Sequence, residues 1–543
     1  MKRLIVILIV LTSSRMSAQY VQDVMHIHNA VGGVVSAIAS KGDRFVMAFG
    51  TGDFVQFGDN ELYTDLADKA LIVLKSENLS TIWTSGLEFE EYDISYINDA
   101  SFDNDGNIYL CGSSRSASYS IGELQHTASG FVLKLDPEGN PLWLHGIEHF
   151  TPESIAASID NGAVVVGHFI DTLSFAGDTY FNPDPNGNWF PPIDACILKI
   201  SAEETEEWAH AYSTIYDEEF IDVDIDQNGN IAVLGNSHSD TLYFNNEIVI
   251  DRTFLFNYSP DGVEQWFRGN SSLVSFDNVN SGFSLAIEVS EEGDIHWLHS
   301  FSISADTLFT PVGNILKQDC ELLDTHAIKA AYKFSNDGLL IDVFGFSCVD
   351  MSQKWGMLPI GNQLLLSGEF RSTVNITDDI TLYSTSYADN GFIMLLDQNM
   401  EPIWHIQTTE QNEDAKVHLT TSIALNNSVI VAGAFETEFA YENYAFTPDQ
   451  GFDNILILLD TTNSIGEMDM PYISVFPNPV SYNLSIQNLP ATTTQIKILD
   501  TTGRLLMTEY NKQQIDVAHL PSGIYLIEVS TDESRAVLKF VKE

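Results

Sequence analysis

From about residue 33 to residue 460 the apolar positions fall into short runs separated by Gly, Asp, Asn, Ser and Pro. Runs of that length with such boundaries read as strands rather than helices. The pattern repeats about every sixty residues. Its clearest copy is FDNDGNIYLCGSS, then a variable stretch, then GFVLKLDPEGNPLWLHG. Copies that align onto it open at Ser40, Ile159, Ile225, Val289, Ile360 and Leu425, making seven in all. Each offers four strand-like runs. A variable hairpin joins the second run to the third, and a Pro-Asp-Gly-like turn joins the third to the fourth. A closing tryptophan recurs at Trp83, Trp143, Trp208, Trp266 and Trp404, with Phe344 in the fifth copy and no equivalent in the seventh.

A lone four-stranded sheet cannot bury both of its faces, so such units must stack or close radially. The predicted fold class is all-β: a seven-bladed β-propeller-like repeat body followed by a small C-terminal immunoglobulin-like β-sandwich. Each closing Trp is expected between neighbouring blades, where its area and its N–H are both useful. Residues 20–24 are expected to add a strand to the last blade and close the ring, which removes exposed sheet edges. Gly106-Asn107-Ile108-Tyr109-Leu110-Cys111-Gly112 and Gly130-Phe131-Val132-Leu133-Lys134-Leu135 resemble a bacterial β-propeller repeat family of pattern G-N-x-Y-x-x-G … G-x-D-A-F-V-x-K-L-x-x-x-G-x-x-x-W, though the usual Asp before the third strand is often absent. That resemblance implies blades and no particular activity.

The last seventy residues carry a different pattern. Pro477 and Pro479 flank Asn478, and prolines so placed stand outside a central strand. Ile496 and Ile498, then Leu505 and Met507, alternate about the turn Asp500-Thr501-Thr502-Gly503, a hairpin signal. Gly523 follows Leu520-Pro521-Ser522 and precedes a run of strand formers. The order FPNP, D-T-T-G-R hairpin, LPSGIYLI and a basic-apolar end resembles the type A C-terminal sorting domain of the Bacteroidota type IX secretion system. The resemblance covers residues 473–543. It implies export through the periplasm to the cell surface or medium, with the type IX machinery as partner. It points to Pro477, Asn478, Pro479, Gly503, Arg504, Gly523 and Lys539 as the residues that shape the sorting signal.

The N-terminus agrees with export. Met1-Lys2-Arg3 is basic, residues 4–11 are apolar, and Met16-Ser17-Ala18 is a cleavage site before Gln19. The expected organisation is a signal peptide at 1–18, the repeat body at 19–462, a linker at 463–472 and the sorting domain at 473–543. No other long apolar run occurs, so no transmembrane segment is expected in the mature form.

Charge separates the two parts. Residues 19–472 hold 15 Lys/Arg against 69 Asp/Glu, whereas residues 473–543 hold 6 against 7. So acidic a body is repelled by nucleic acid and by anionic membranes. With 44% hydrophobic residues it is not disordered. The four cysteines, Cys111, Cys196, Cys320 and Cys348, form no C-x-x-C site. Cys320 and Cys348 lie in one repeat and are close enough in sequence to pair, while Cys111 reads as a buried small hydrophobe.

Chemistry is sparse. Asp224, Asp226 and Asn228 stand at the alternate spacing of a calcium loop with Gly229 at its turn, but Gly235 occupies the twelfth position where an acid is needed. A polar β-turn explains the same residues. His26 and His28 lie two apart on one strand face, with no third ligand visible in the sequence. No metal, catalytic or cofactor residue is therefore assigned. Asp-Thr-Leu at Asp171, Asp240 and Asp306 resembles a short O-glycosylation sequon, or equally a turn before an inward Leu. The body reads as a non-catalytic binder of an extracellular glycan or protein. The alternative is a secreted enzyme acting on a polysaccharide, and acids and aromatics gathered at one mouth of the ring would favour it.

Overall fold

The computed structural model describes residues 21–542 apart from internal segments, the longest being 183–191, 270–278, 317–326, 348–354, 409–415, 461–473 and 488–494. The signal peptide, Cys320 and Cys348 lie outside the described residues, which contain strands and no helix. The chain divides into two compact units, one of residues 23–458 and one that includes residues 459–543.

Within the first unit, seven sheets each contain a set of four antiparallel strands, here called a blade, taken in chain order in the first six. Their first strands are Val35–Lys41, Tyr96–Phe102, Phe150–Ala157, Glu218–Ile225, Val279–Val289, Gly356–Ile360 and Lys416–Ala424. The two middle strands of a blade are buried on both faces, as in Ile108–Ser113, Gly130–Leu135 and Asp194–Ile200. Both faces are covered because blades pack face to face, and this is why those strands read as unbroken apolar runs. The fourth strands, such as Thr81–Phe89, alternate instead.

The first strands touch in order from each blade to the next, and Val35–Lys41 of the first blade also meets Lys416–Ala424 of the seventh. Ile27, Phe45, Met47, Ile423, Ile430 and Leu456 share one core, which joins the first blade to the last. The ring is closed. The strand Val21–Asn29 supplies the seventh blade's fourth strand, next to Phe452–Asp460. It runs further than the five residues expected from sequence, because its far end also pairs with Phe54–Phe57 of the first blade's hairpin, His28 opposite Gln56.

That hairpin is general. Between second and third strands every blade carries a two-stranded excursion, such as Thr172–Phe175 with Asp178–Phe181. In the first two blades it reaches back to extend the preceding sheet. Its apolar side is anchored, with Leu173 and Phe175 buried in the core between the second and third blades.

The second-strand glycine of the repeat has a steric reason. A Cβ on Gly112 would lie 2.1 Å from the Tyr96 carbonyl oxygen. The first strand bulges there, its register shifting between Ile97 and Asp99. The same shift recurs at Pro152/Ser154 and Phe220/Asp222. A bulge re-aims the side chains beside it.

The closing tryptophans pack as expected. Trp83, Trp143 and Trp266 each donate their indole N–H, at 3.0 Å, to a turn carbonyl of the next blade: Pro137, Ala202 and Asn336.

The C-terminal unit is a β-sandwich. One sheet joins Ser474–Phe476, Asn483–Gln487 and Gln514–Asp516, and the other joins Leu505–Glu509, Gln495–Asp500, Gly523–Ser530 and Arg535–Lys542. Leu484, Ile486 and Ile515 of the first sheet share a core with Ile496, Ile498, Ile527 and Phe540 of the second. Ile496 and Ile498 point inward as predicted. Leu505 does not: it is 52% exposed. A register shift between Ile498 and Leu499 displaces the returning strand, and Leu506 and Met507 pack on the core instead.

Candidate functional site

Of the residues expected to shape the sorting signal, Pro477, Asn478, Pro479 and Gly503 lie outside the described residues. Arg504 is exposed just before the strand Leu505–Glu509. Gly523 opens Gly523–Ser530, and Lys539 pairs with Leu526 across the sheet. Lys539 thus stands on the edge strand Arg535–Lys542 of its sheet.

In the body, the first strands of all seven blades line one central cavity of about 640 Å3. Its acids, Asp99, Glu153, Asp222, Asp224 and Glu288, come from the second to fifth blades, and among the described residues no Lys or Arg lines it. The opposite wall carries Ser36, Trp355, Met357, Thr420 and Ser422.

The aspartates join blade to blade. Asp99 Oδ2 accepts the Ile155 N–H at 2.9 Å, Asp222 Oδ2 accepts that of Ile287 at 2.9 Å, and Asp224 Oδ2 accepts that of Val289 at 2.7 Å. Each accepts the backbone N–H of the residue following it as well. The Ser154 hydroxyl lies between two of them, 2.7 Å from Asp99 Oδ2 and 3.0 Å from Asp222 Oδ1. One hydroxyl proton serves one acceptor. A proton on either carboxyl would let Ser154 bond both.

The surroundings favour such a proton. Burial, then the charge of Asp222, pushes the Asp99 carboxyl up to about 6 despite its backbone hydrogen bonds. Burial raises Asp224 as well, with Asp222 and Asp99 adding to it. Glu288 is raised by burial and by all three aspartates. Desolvation and like charge both favour the neutral acid.

The suspected calcium loop is divided between two tasks. Asp224 is turned to the fifth blade, whereas Asp226 holds its own turn, its Oδ1 accepting the N–H groups of Asn228 and Asn230 at 2.8 Å. Asp103 makes the same pattern with Asp105 and Asn107. Asp171 takes positive φ ahead of the buried Leu173, in the manner of a turn residue before an inward Leu. Cys111 and Cys196 are buried and unpaired by disulfide.

His26 and His28 acquire a third group that the sequence reading lacked. Asp453, some 425 residues away, meets both rings. No local signal marks Asp453. Asp99 was also missed, although it sits in an alternating polar pair on a first strand, Asp99-Ala100-Ser101, as Asp222 does in Asp222-Val223-Asp224.

Two of the exposed aromatics of the body stand at variable hairpins, Phe181 at the end of one and Tyr383 directly after another. Phe181 is 70% and Tyr383 64% exposed. Tyr383 is held by a backbone pair with the Gln407 amide, its N–H donating to Oε1 and its carbonyl accepting from Nε2, both at 2.9 Å.

No curated protein matches the chain. Among solved structures, it is similar to Sqt1 from Chaetomium thermophilum, at 9% identity and TM-score 0.37, over 80% of this chain and 98% of that one. It is similar to the quinohemoprotein alcohol dehydrogenase of Comamonas testosteroni, at 9% identity and TM-score 0.34, over 84% and 79%. PorZ, a surface component of the type IX secretion system of Porphyromonas gingivalis, aligns at 12% identity and TM-score 0.17 over 95% and 99%. Residues 474–543 match the family described as "Secretion system C-terminal sorting domain". The two-sheet unit at the end of this chain is thus a type IX secretion C-terminal sorting domain, and the protein bearing it is exported to the cell surface or the extracellular space.

Proposed function

We propose that the propeller body is a binding module for an extracellular glycan or protein, delivered to the cell exterior by its sorting domain. The observation that carries this is the exposed Tyr383 beside its hairpin, whose backbone is fixed by Gln407. A rigidly held aromatic face suits stacking on a sugar ring or burial under a protein loop at small entropic loss. The channel acids Asp99, Asp222 and Asp224 are occupied with backbone N–H groups of neighbouring blades, which suits a structural part. The test is a glycan array and a surface-protein pull-down with the mature chain, beside the variants Tyr383→Ala and Phe181→Ala. Loss of capture in either variant supports the reading; undiminished capture in both overturns it.

A second reading, hydrolysis of a polysaccharide, draws on the raised Asp99 carboxyl beside Asp222. A paired acid and carboxylate is the equipment of glycoside hydrolysis. Release of reducing sugar that disappears in Asp99→Asn would establish it in place of simple binding.

For the sorting domain, the reading is that Pro477, Asn478, Pro479, Gly503, Arg504, Gly523 and Lys539 shape a fold read by the type IX machinery. Removing residues 473–543 should strand the protein in the periplasm of a type IX-competent host. Normal external amounts of the truncated chain would defeat this.

A further inference from the structure

We propose that His26, His28 and Asp453 form a binding site for a divalent metal of the zinc class, which ties the N-terminal strand into the seventh blade. The strand period of two sets His26 and His28 on one face of Val21–Asn29. Asp453 comes from Phe452–Asp460, the neighbouring strand in the sheet. Its Oδ2 lies 2.7 Å from His26 Nε2 and 2.6 Å from His28 Nδ1. Among the described residues this is the one set of three His, Cys or acidic side chains whose ligand atoms all fall within 4.8 Å of one another.

Burial makes the grouping informative. The Asp453 side chain is wholly inaccessible, whereas the two imidazoles keep 20% and 19% of theirs. A carboxylate taken out of water needs a compensating positive charge. A dication shared by the three groups supplies that charge and leaves both imidazoles neutral, the form in which they ligate.

The donor set selects the class of metal. Two imidazole nitrogens and one carboxylate oxygen suit zinc and its neighbours, whereas calcium takes six to eight oxygens. With metal–ligand bonds of about 2.0–2.2 Å, tetrahedral ligand atoms stand roughly 3.3 Å apart. The Asp453 oxygen has to draw back from each ring nitrogen by some tenths of an ångström, and the two nitrogens already stand within 4.8 Å of each other. The rings are already oriented, His26 against Phe435 and Phe446 at 5.4 and 5.0 Å, and His28 against Phe54 at 5.4 Å. Both histidines line a cavity of about 430 Å3 with Asp23, Met25, Gln56 and Thr447, which gives a fourth ligand, water or an anion, room to enter. Three protein ligands leave the fourth position of a tetrahedral site open to solvent.

The test uses the mature full-length chain, stripped with chelator and desalted. Titration calorimetry with zinc chloride should show one tight site per chain above any weak surface binding. Cobalt(II) should give the visible absorption of a tetrahedral site, removed by adding zinc. His28→Gln, at a partly exposed position, should weaken the tight site by more than about 100-fold, beyond what outer-shell changes usually cause. His26→Gln should do the same, and Asp453→Asn extends the series if it folds. Zinc should raise the Tm of the wild type and not that of His28→Gln, through binding to the native state, and calcium at equal ionic strength should not replace it. A tight site unchanged in both His variants, or no tight site in the wild type, overturns the proposal and leaves the three residues as a hydrogen-bonded cluster. Either outcome is independent of whether the hairpins bind a glycan.

Discussion

The indole of Trp83 lies so close to Gly139, in the turn of the next blade, that a Cβ on that glycine would stand 2.7 Å from the ring. Gly262 meets Trp208 and Gly338 meets Trp266 in the same way, each at 2.8 Å, and all three glycines have positive φ. The closing Trp and the turn glycine are two halves of one contact between blades.

Gly139→Ala should therefore destabilise the body through the ring contact and through its φ of 86° together. About 1–3 kcal/mol is expected, the range of a forced overpacking or a strained backbone position. Thermal or urea unfolding measures it. Trp83→Leu in the same chain should relieve part of the loss; strict additivity of the two changes would show that the contact carries no coupling.

The Asp99 carboxyl, raised to about 6, sets a pH dependence with a definite sign. Its folded value lies above the unfolded value of about 3.9, so the folded protein binds the proton more tightly. The contribution to stability is full below about pH 4 and is lost as pH rises through 6. Asp99→Asn removes an acceptor at every pH but also removes this titration. The variant should gain on the wild type by on the order of 1 kcal/mol between pH 5 and 7.5, the channel water having softened the full effect. A constant gap across that range would mean that Asp99 titrates normally.

Lys134, in the K-L position of the repeat, is buried with its Nζ 3.3 Å from Asp103, which is itself inaccessible. Three other blades carry such a pair: Lys75 with Glu61, Lys199 with Asp160 and Lys333 with Asp294, at 3.0, 2.7 and 3.0 Å. Lys134→Met strands a buried carboxylate and should cost about 3 kcal/mol. Adding Asp103→Asn should recover part of that loss, because the remaining charge goes too. Chemical denaturation of the single and double variants decides it.

Deleting residues 21–29 should open the ring. The edges of Phe452–Asp460 and Phe54–Phe57 would then be left without their partner strand. The expected result is aggregation during refolding and a lower Tm, because unpaired edges recruit other chains. A monomer with unchanged Tm would show that closure at this strand contributes little.

Much of the architecture was legible in the sequence, because a repeat states the same local rules many times. Apolar runs in FVLKL and IYLCG, the Asp-Gly turns and the closing Trp each recur with their spacing, and each agrees with the local geometry it adopts. The sorting domain was legible for a related reason: its prolines, its hairpin turn and its glycine stand in an order that the family retains. The outward turn of Leu505 was not, since the register shift at Ile498/Leu499 sets Leu505 opposite Leu499 while Met507 stays opposite Ile498.

The sites belong to the tertiary structure. Asp453 lies at the far end of the body from His26, and only the closing of the ring brings the first strand beside the last. Asp99 and Asp222 share Ser154 only because three bulged first strands converge on one channel. Local patterning determines which residues form strands and turns, since that is settled over a few neighbouring dihedrals. Which charged groups come to face one another is settled by ring closure between residues hundreds of positions apart, and no period along the chain encodes that.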